Sequence, residues 1–361
     1  MKILRPILSL ACLFIAISGF SQSNPWRKIV VPVLPELSYK LDAYQTFELD
    51  ETALKSSLME IVGGTHSKEL QLPMPDGSFE AFTVVESSIM MPGLQARYPQ
   101  IRCFAGQSRL DSRIQVRMGI DDNGFYALFI GPKGQSIITK LDGSNYVSFW
   151  KKDKISNFEG KVSTCGATHE QELEAVIQDK IDRKKVPSRV FPTSQVDEKT
   201  YRIAIATTGE FAVAHGGTYS SVSAYIVKIM NMVNAVTHND WAVKFVIAEN
   251  NDSLINFDAL TDPYTNGIAG AMINENNTFI PTKIPLNSYD IGHVFGTVSV
   301  SGVVGLAELY SLCKTNSKGR GISNQPTWAT GDDNYFSTSL VAHELGHQFG
   351  CAHTFNNCDG N

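Results

Sequence analysis

Beyond its first twenty residues the chain has no apolar run near the ~20 residues needed to cross a bilayer, which excludes a membrane-spanning helix further along. It also lacks a basic surplus. The net charge is -5 and the lysines and arginines are dispersed, so no stripe tracks phosphates and nucleic acid is excluded as a partner. No internal repeat or low-complexity tract is evident. Cysteine is sparse, six in 361 residues. What is plentiful is apolar residue, 43% of the chain, enough for substantial cores and, at this length, for two domains.

The one long apolar run, Ile7 to Phe20, follows Lys2 and Arg5 and ends in Gly19 and Ser21, small residues at the −3 and −1 positions of a cut before Gln22. This is the pattern of a secretory signal peptide over residues 1–21, and it places the mature chain outside the cell, with no membrane attachment. A membrane anchor is the competing reading, but the run is too short for one. Removing the segment takes Cys12 with it and leaves Cys103, Cys165, Cys313, Cys351 and Cys358. Five is odd, so in an oxidising compartment at least one cysteine is unpaired, bound to metal, or separated from its partner.

From Phe79 to Trp150 short β-branched and aromatic runs (FTVV, RIQVRMGI, FYALFIGPKG, YVSFW) alternate with turn signals such as DDNG and LDGS. That pattern predicts a β-rich domain of hairpins, spanning residues 22–167. The charged stretch His169–Lys185 suits an exposed helix, and the proline-bearing stretch after it suits a linker, together covering residues 168–198. From residue 199 to 361 the pattern is α/β. YRIAIATT and AVKFVIAEN read as strands around a long helix with Val222, Tyr225, Ile226, Ile229, Val233 and Val236 on one face and Met230 and Met232 in the core. Strand, helix and strand begin a mostly parallel, twisted sheet.

The chemistry lies in HELGHQFGCAH, residues 343–353. Tyr335 to Phe349 predicts a helix, N-capped by Asp332 or Asp333, that sets His343 and His347 one turn apart on one face. Gly350 tolerates positive φ, so it can end the helix and let His353 return as a third ligand. Three neutral imidazoles suit zinc and leave a fourth position for water, whose pKa the ion lowers toward ~7. Glu344 is placed to take the water's proton and return it to a leaving amine. A bare HExxH arises by chance on a helix surface; the added glycine and third histidine make chance improbable. His66, His169, His215, His238 and His293 have no ligand spacing and are expected to be structural.

HELGHQFGCAH matches the HExxHxxGxxH signature of the metzincin zinc endopeptidases. With SYDIGHVFGT from Ser288 and GVVGLAELYSLCKTNSKGRGISN from Gly302, the half from Tyr201 onward resembles the reprolysin/adamalysin type, in its bacterial secreted form. The resemblance implies a β-rich propeptide domain ahead of a metzincin-type catalytic domain with an active-site helix. It also implies zinc as cofactor, a peptide or protein as substrate, manufacture as a zymogen, and a monomer. The strand around Gly305, Leu306 and Ala307 is then the edge against which an extended substrate pairs, although a plain core strand would read the same way. After the third histidine stands Thr354, where animal reprolysins have Asp; His-Thr-Phe also occurs in pappalysin-like metzincins.

The family carries a Met-turn downstream of the third histidine, so the resemblance implies a catalytic domain truncated after the zinc motif. The alternative function is a non-catalytic or inactive zinc-binding fragment of such a protease. By the same resemblance Cys313 pairs with a cysteine beyond the Met-turn; bridges to Cys351 or Cys358 are the alternatives. Cys165, in TCGA, resembles the cysteine switch that occupies the fourth zinc position of a latent enzyme, and a Cys103–Cys165 disulfide weighs equally.

Overall fold

The computed structural model describes residues 24–32, 34, 37, 39–63, 66–156, 163–166, 197–298, 302–327, 331 and 333–353. The expected signal peptide, the helix over 169–185 and almost all of the linker lie outside them.

The first half is built on a nine-stranded antiparallel sheet. In chain order its strands are β1 (Trp26–Ile29), β3 (Gln45–Leu49), β4 (Lys68–Pro73), β5 (Phe79–Glu86), β6 (Arg102–Ser108), β7 (Gln115–Asp121), β8 (Gly124–Gly131), β9 (Gly134–Asp142) and β10 (Asn145–Trp150). A short β2 (Tyr39–Leu41) pairs with β11 (Lys154–Ser156). The turn signals fall where hairpins need them: Gly143 of the Asp-Gly pair between β9 and β10 has φ 44, open to glycine at little cost. The strands before Phe79 had weaker alternation and were not evident in the sequence. Helix α1 (Glu51–Met59), capped by the Asp50 side chain, closes one face with Leu54 and Leu58 over Phe47, Phe82, Phe104 and Phe129.

The second half carries a six-stranded sheet in the order β12 (Ser163–Cys165), β16 (Gly302–Ala307), β17 (Gly321–Pro326), β15 (Ile291–Val298), β13 (Lys199–Thr207), β14 (Val243–Ile247). Every neighbouring pair is parallel except β16 with β17. Between β13 and β14 run α3 (Gly209–Ala214) and the long α4 (Tyr219–Trp241), which starts in a capping box of Thr218 and Ser221. Helix α5 (Ala269–Lys283) packs against the sheet with Met272, Ile273 and Ile280.

Helix α4 is not the one-faced helix expected from periodicity. Ile226, Ile229 and Val233 do pack into the core of the second half, and so does Met230. Yet Met232 and Ala235 pack with Tyr126, Leu128, Val147 and Phe149, on the other face of the nine-stranded sheet. Asn231 Nδ2 donates to the Met118 carbonyl at 2.9 Å, giving the buried amide nitrogen a partner across that contact. Burial on two sides replaces a solvent face, because each half covers one side of the same helix.

The halves also share β structure. The Ile247 amide donates to the Ile89 carbonyl (2.6 Å) and the Met91 amide to the Ile247 carbonyl (3.0 Å), so residues 89–91 extend the six-stranded sheet beyond β14. Just after them comes α2 (Pro92–Arg97), whose Arg97 binds Asp252 with Nε (2.8 Å) and Nη2 (3.0 Å) and the Glu249 carbonyl with Nη2 (2.6 Å). Ile89, Met90, Leu94 and Ile101 belong to the same core cluster as α4. At the opposite edge, β12 is likewise contributed from before residue 168.

Candidate metal centre

The HExxH helix has two parts. Tyr335–Val341 is a π-helical stretch, and α6 (Ala342–Phe349) continues from it as a regular α-helix. Asp333, one of the two expected caps, already lies in the helical turn before Tyr335, where it accepts from Tyr225 Oη (2.8 Å) and pairs with Lys228 on α4. A buried carboxylate gains from a cation and a hydroxyl together. Asp332 lies outside the described residues. A π-bulge just before a functional segment is a common occurrence.

Helix α6 ends at Gly350 with φ 98, and a Cβ there would overlap the Tyr310 ring, so the reversal needs glycine. The chain then turns back. His343 Nε2 lies 3.1 Å from His347 Nε2 and 3.1 Å from His353 Nε2. His347 Nδ1 is 2.7 Å from the Cys351 carbonyl, so Nδ1 carries the hydrogen and Nε2 presents a lone pair to its neighbours. Tetrahedral ligands at ~2.0–2.1 Å from zinc stand about 3.3 Å apart, close to the spacing of these nitrogens. Nitrogen lone pairs aimed at one point repel each other unless a cation sits among them. The donor set therefore fits a zinc ion.

A fourth donor completes the cluster. Cys165 Sγ is 3.6 Å from His347 Nε2, and the four donor atoms all lie within 4.8 Å of one another. Strand β12 delivers it: Cys165 pairs with Gly305, and the Gly166 amide donates to the Gly305 carbonyl at 2.8 Å. The alternative Cys103–Cys165 disulfide is not formed. Cys103 is buried with its sulfur 3.7 Å from the Tyr126 hydroxyl, and burial pushes its thiol up to about 12. Cys313 and Cys351 are not bridged either, and Cys358 lies outside the described residues.

Glu344 is fully buried beside the histidines, and among the described residues no N–H or O–H donor reaches either carboxylate oxygen. Burial pushes its carboxyl well above the usual carboxylate range, with the Cys165 thiol acting weakly the other way. Its place depends on Gly305, where a Cβ would overlap the carboxylate. Burial pushes His343 down to about 4, helped by His347 and His353. The strand holding Gly305, Leu306 and Ala307 is flanked by β17 on one side and β12 on the other, so the edge expected to receive substrate is covered.

Residues 223–354 match the family model described as metallopeptidase family M12B, reprolysin-like. Over that stretch the chain is similar to the metallopeptidases. The match covers most of α4, strand β16 and the three clustered histidines, and it supports a metal-dependent peptidase. A solved structure, metalloproteinase-II from Bacteroides fragilis, is 11% identical over 84% of this chain and 86% of that one, with a TM-score of 0.43. Among curated proteins none matches the chain.

Of the histidines expected to be structural, none of the described ones joins the metal cluster. His293, however, lies under α6 and hydrogen-bonds to Gln348 and Ser323. Nothing in the sequence singled out these three; the only signal was a histidine inside an otherwise buried strand, SYDIGHVFGT.

Proposed function

We propose that the chain is a secreted zinc endopeptidase of the reprolysin-like metzincins, made as a zymogen and acting as a monomer on protein or peptide substrates, with no nucleic-acid or membrane partner. The observation that carries this reading is the convergence of His343, His347 and His353 through their Nε2 atoms beside the buried Glu344.

In this reading the three histidines hold zinc, which when bound supplies a Lewis acid that makes water acidic enough to attack near neutral pH. The Cys351 carbonyl fixes the His347 tautomer. Glu344 takes the proton of the attacking water and passes it to the leaving amine, and its burial keeps its basicity high for that transfer. Gly305, Leu306 and Ala307 hold the extended substrate by backbone hydrogen bonds once β12 has left. The segment before residue 168 is the propeptide, and it opposes catalysis twice, with Cys165 against the ligands and with β12 along the substrate edge. The signal peptide over 1–21 directs secretion.

Glu344→Gln tests the reading. The amide keeps the shape and accepts no proton, so the zinc-loaded, activated chain should retain its metal and lose ~10²–10⁴ of turnover. Near-wild-type rates in that variant would refute it.

A further inference from the structure

Beneath the histidine cluster lies a second polar network that the proposed chemistry does not use. Gln348 follows His347 directly and sits one turn after Glu344, so Glu344 and Gln348 share the face of α6 that rests on the sheet, while His343 and His347 share the adjacent face. Both sheet-facing side chains enter slots left by glycines: a Cβ at Gly305 would overlap the Glu344 carboxylate, and one at Gly321 would overlap Gln348 and the His293 ring.

The network has a single direction. Gln348 Nε2 faces the Gly292 carbonyl (3.2 Å), the Ser311 hydroxyl (3.2 Å) and the Lys318 carbonyl (3.4 Å). Two carbonyls can only accept, so the amide nitrogen must point at them and Oε1 must point away. Oε1 then accepts from His293 Nδ1 at 3.1 Å, which leaves Nε2 to accept from the Ser323 hydroxyl at 2.9 Å. Ser323 is the β17 residue paired with Gly305, the glycine under Glu344. Gln348, His293, Ser323 and Ser311 are each at most 0% exposed, so every link is made in a dry interior where an unmade hydrogen bond is costly.

We propose that Gln348, locked by His293 and Ser323, is a positioning residue that sets the rotation of α6 about its axis, aiming Glu344 over Gly305 and the His343–His347 pair at the metal. A helix held only by apolar contacts can slide or roll with little loss, because those contacts are non-directional. Four oriented contacts to Gln348 from β15 and the loops around Ser311 and Lys318, backed by the Ser323 bond from β17 to His293, resist rolling. A roll would swing Glu344 out of the Gly305 slot and the imidazoles off their common point together. This inference rests on the peptidase reading for what Glu344 does, but not for the geometry of the cluster.

The test uses the full chain loaded with cobalt(II), whose visible absorption reports ligand geometry, and compares wild type with Gln348→Met, an apolar near-isostere, and Ser323→Ala, which removes only the outermost link. Both variants should still bind cobalt, with an altered absorption envelope that is weaker in Ser323→Ala. In the activated zinc form, Gln348→Met should lower kcat by ~10–100-fold with KM unchanged. In a Glu344→Gln background the further loss should be smaller, because one of the two things it aims has already lost its function. A wild-type cobalt spectrum in both variants, or a kcat loss of the same size with and without Glu344, overturns the inference and leaves the peptidase intact. An altered spectrum in a chain that cleaves no peptide in any form refutes the peptidase reading and leaves the positioning role standing.

Discussion

Cys165 Sγ lies 3.6 Å from His347 Nε2, although 182 residues separate them in the chain. No local force brings the two together; β12 does, by adding its three residues to the open side of β16 and placing Cys165 opposite Gly305. One short strand thus covers the sheet edge and sets a thiol beside the three histidines at the same time.

That double role separates in Cys165→Ser. A hydroxyl is a far weaker zinc ligand than a thiolate, so the variant should show measurable peptidase activity in the uncut chain, while cobalt loading should lose the intense near-ultraviolet absorption of a sulfur ligand. Activity should stay well below that of the activated enzyme, since β12 still lies along β16. A cobalt spectrum without a sulfur band in the wild-type chain would refute the ligation.

Metal content follows the histidines. Purified chain should hold stoichiometric zinc, and His347→Ala, which removes both a ligand and its Cys351 link, should bring it far below that level by elemental analysis. Unchanged zinc in His347→Ala would place the ion elsewhere.

Cutting the chain between the halves should not separate them. The Ile89–Met91 pairing with Ile247, the Arg97–Asp252 bridge and the shared core around α4 involve no residue of the basic stretch Arg183 to Arg189, the expected cleavage site, which lies outside the described residues. After limited proteolysis the two pieces should co-elute on size exclusion and part only in denaturant, and activity should rise fully only when the first piece is removed or digested. Immediate separation after the cut would show that the shared core is weaker than its burial implies.

Burial pushes His293 down to about 4, from an ordinary 6.5, with the Gln348 bond opposing. The depressed value means that the unfolded chain binds a proton there that the folded chain refuses. The stability contribution is therefore whole above pH ~6.5 and declines as pH falls through about 4. In the metal-free chain, denaturant unfolding followed from pH 7 to 4 should lose up to one proton's worth of slope in His293→Gln relative to wild type. Equal slopes would mean that His293 is not buried in its neutral form.

Much of the metal centre was legible in the sequence because its parts are local. Helical geometry puts residues four apart on one face, and a glycine three residues after His347 lets the chain reverse, so the spacing of His343, Glu344, His347 and His353 specifies a cluster without knowledge of the rest. The hairpins from β5 to β10 were legible for a similar reason: alternation and turn residues act over a few positions. The two-sided burial of α4 was not, because periodicity records how many positions are apolar, not how many surfaces will cover them. Met232 and Ala235 face Tyr126 and Leu128 only because a distant sheet arrives there.

What the sequence alone determined, then, is that His343, His347 and His353 converge with Glu344 beside them, through short-range backbone geometry. Tertiary structure alone decided that Cys165 meets His347, that residues 89–91 extend the sheet beyond β14, that Asp333 pairs with Lys228 rather than capping a helix, and that His293 and Gln348 interlock under α6. Each of these joins residues far apart in the chain, and their partners are chosen by which buried polar groups and open strand edges the packed core leaves to be satisfied.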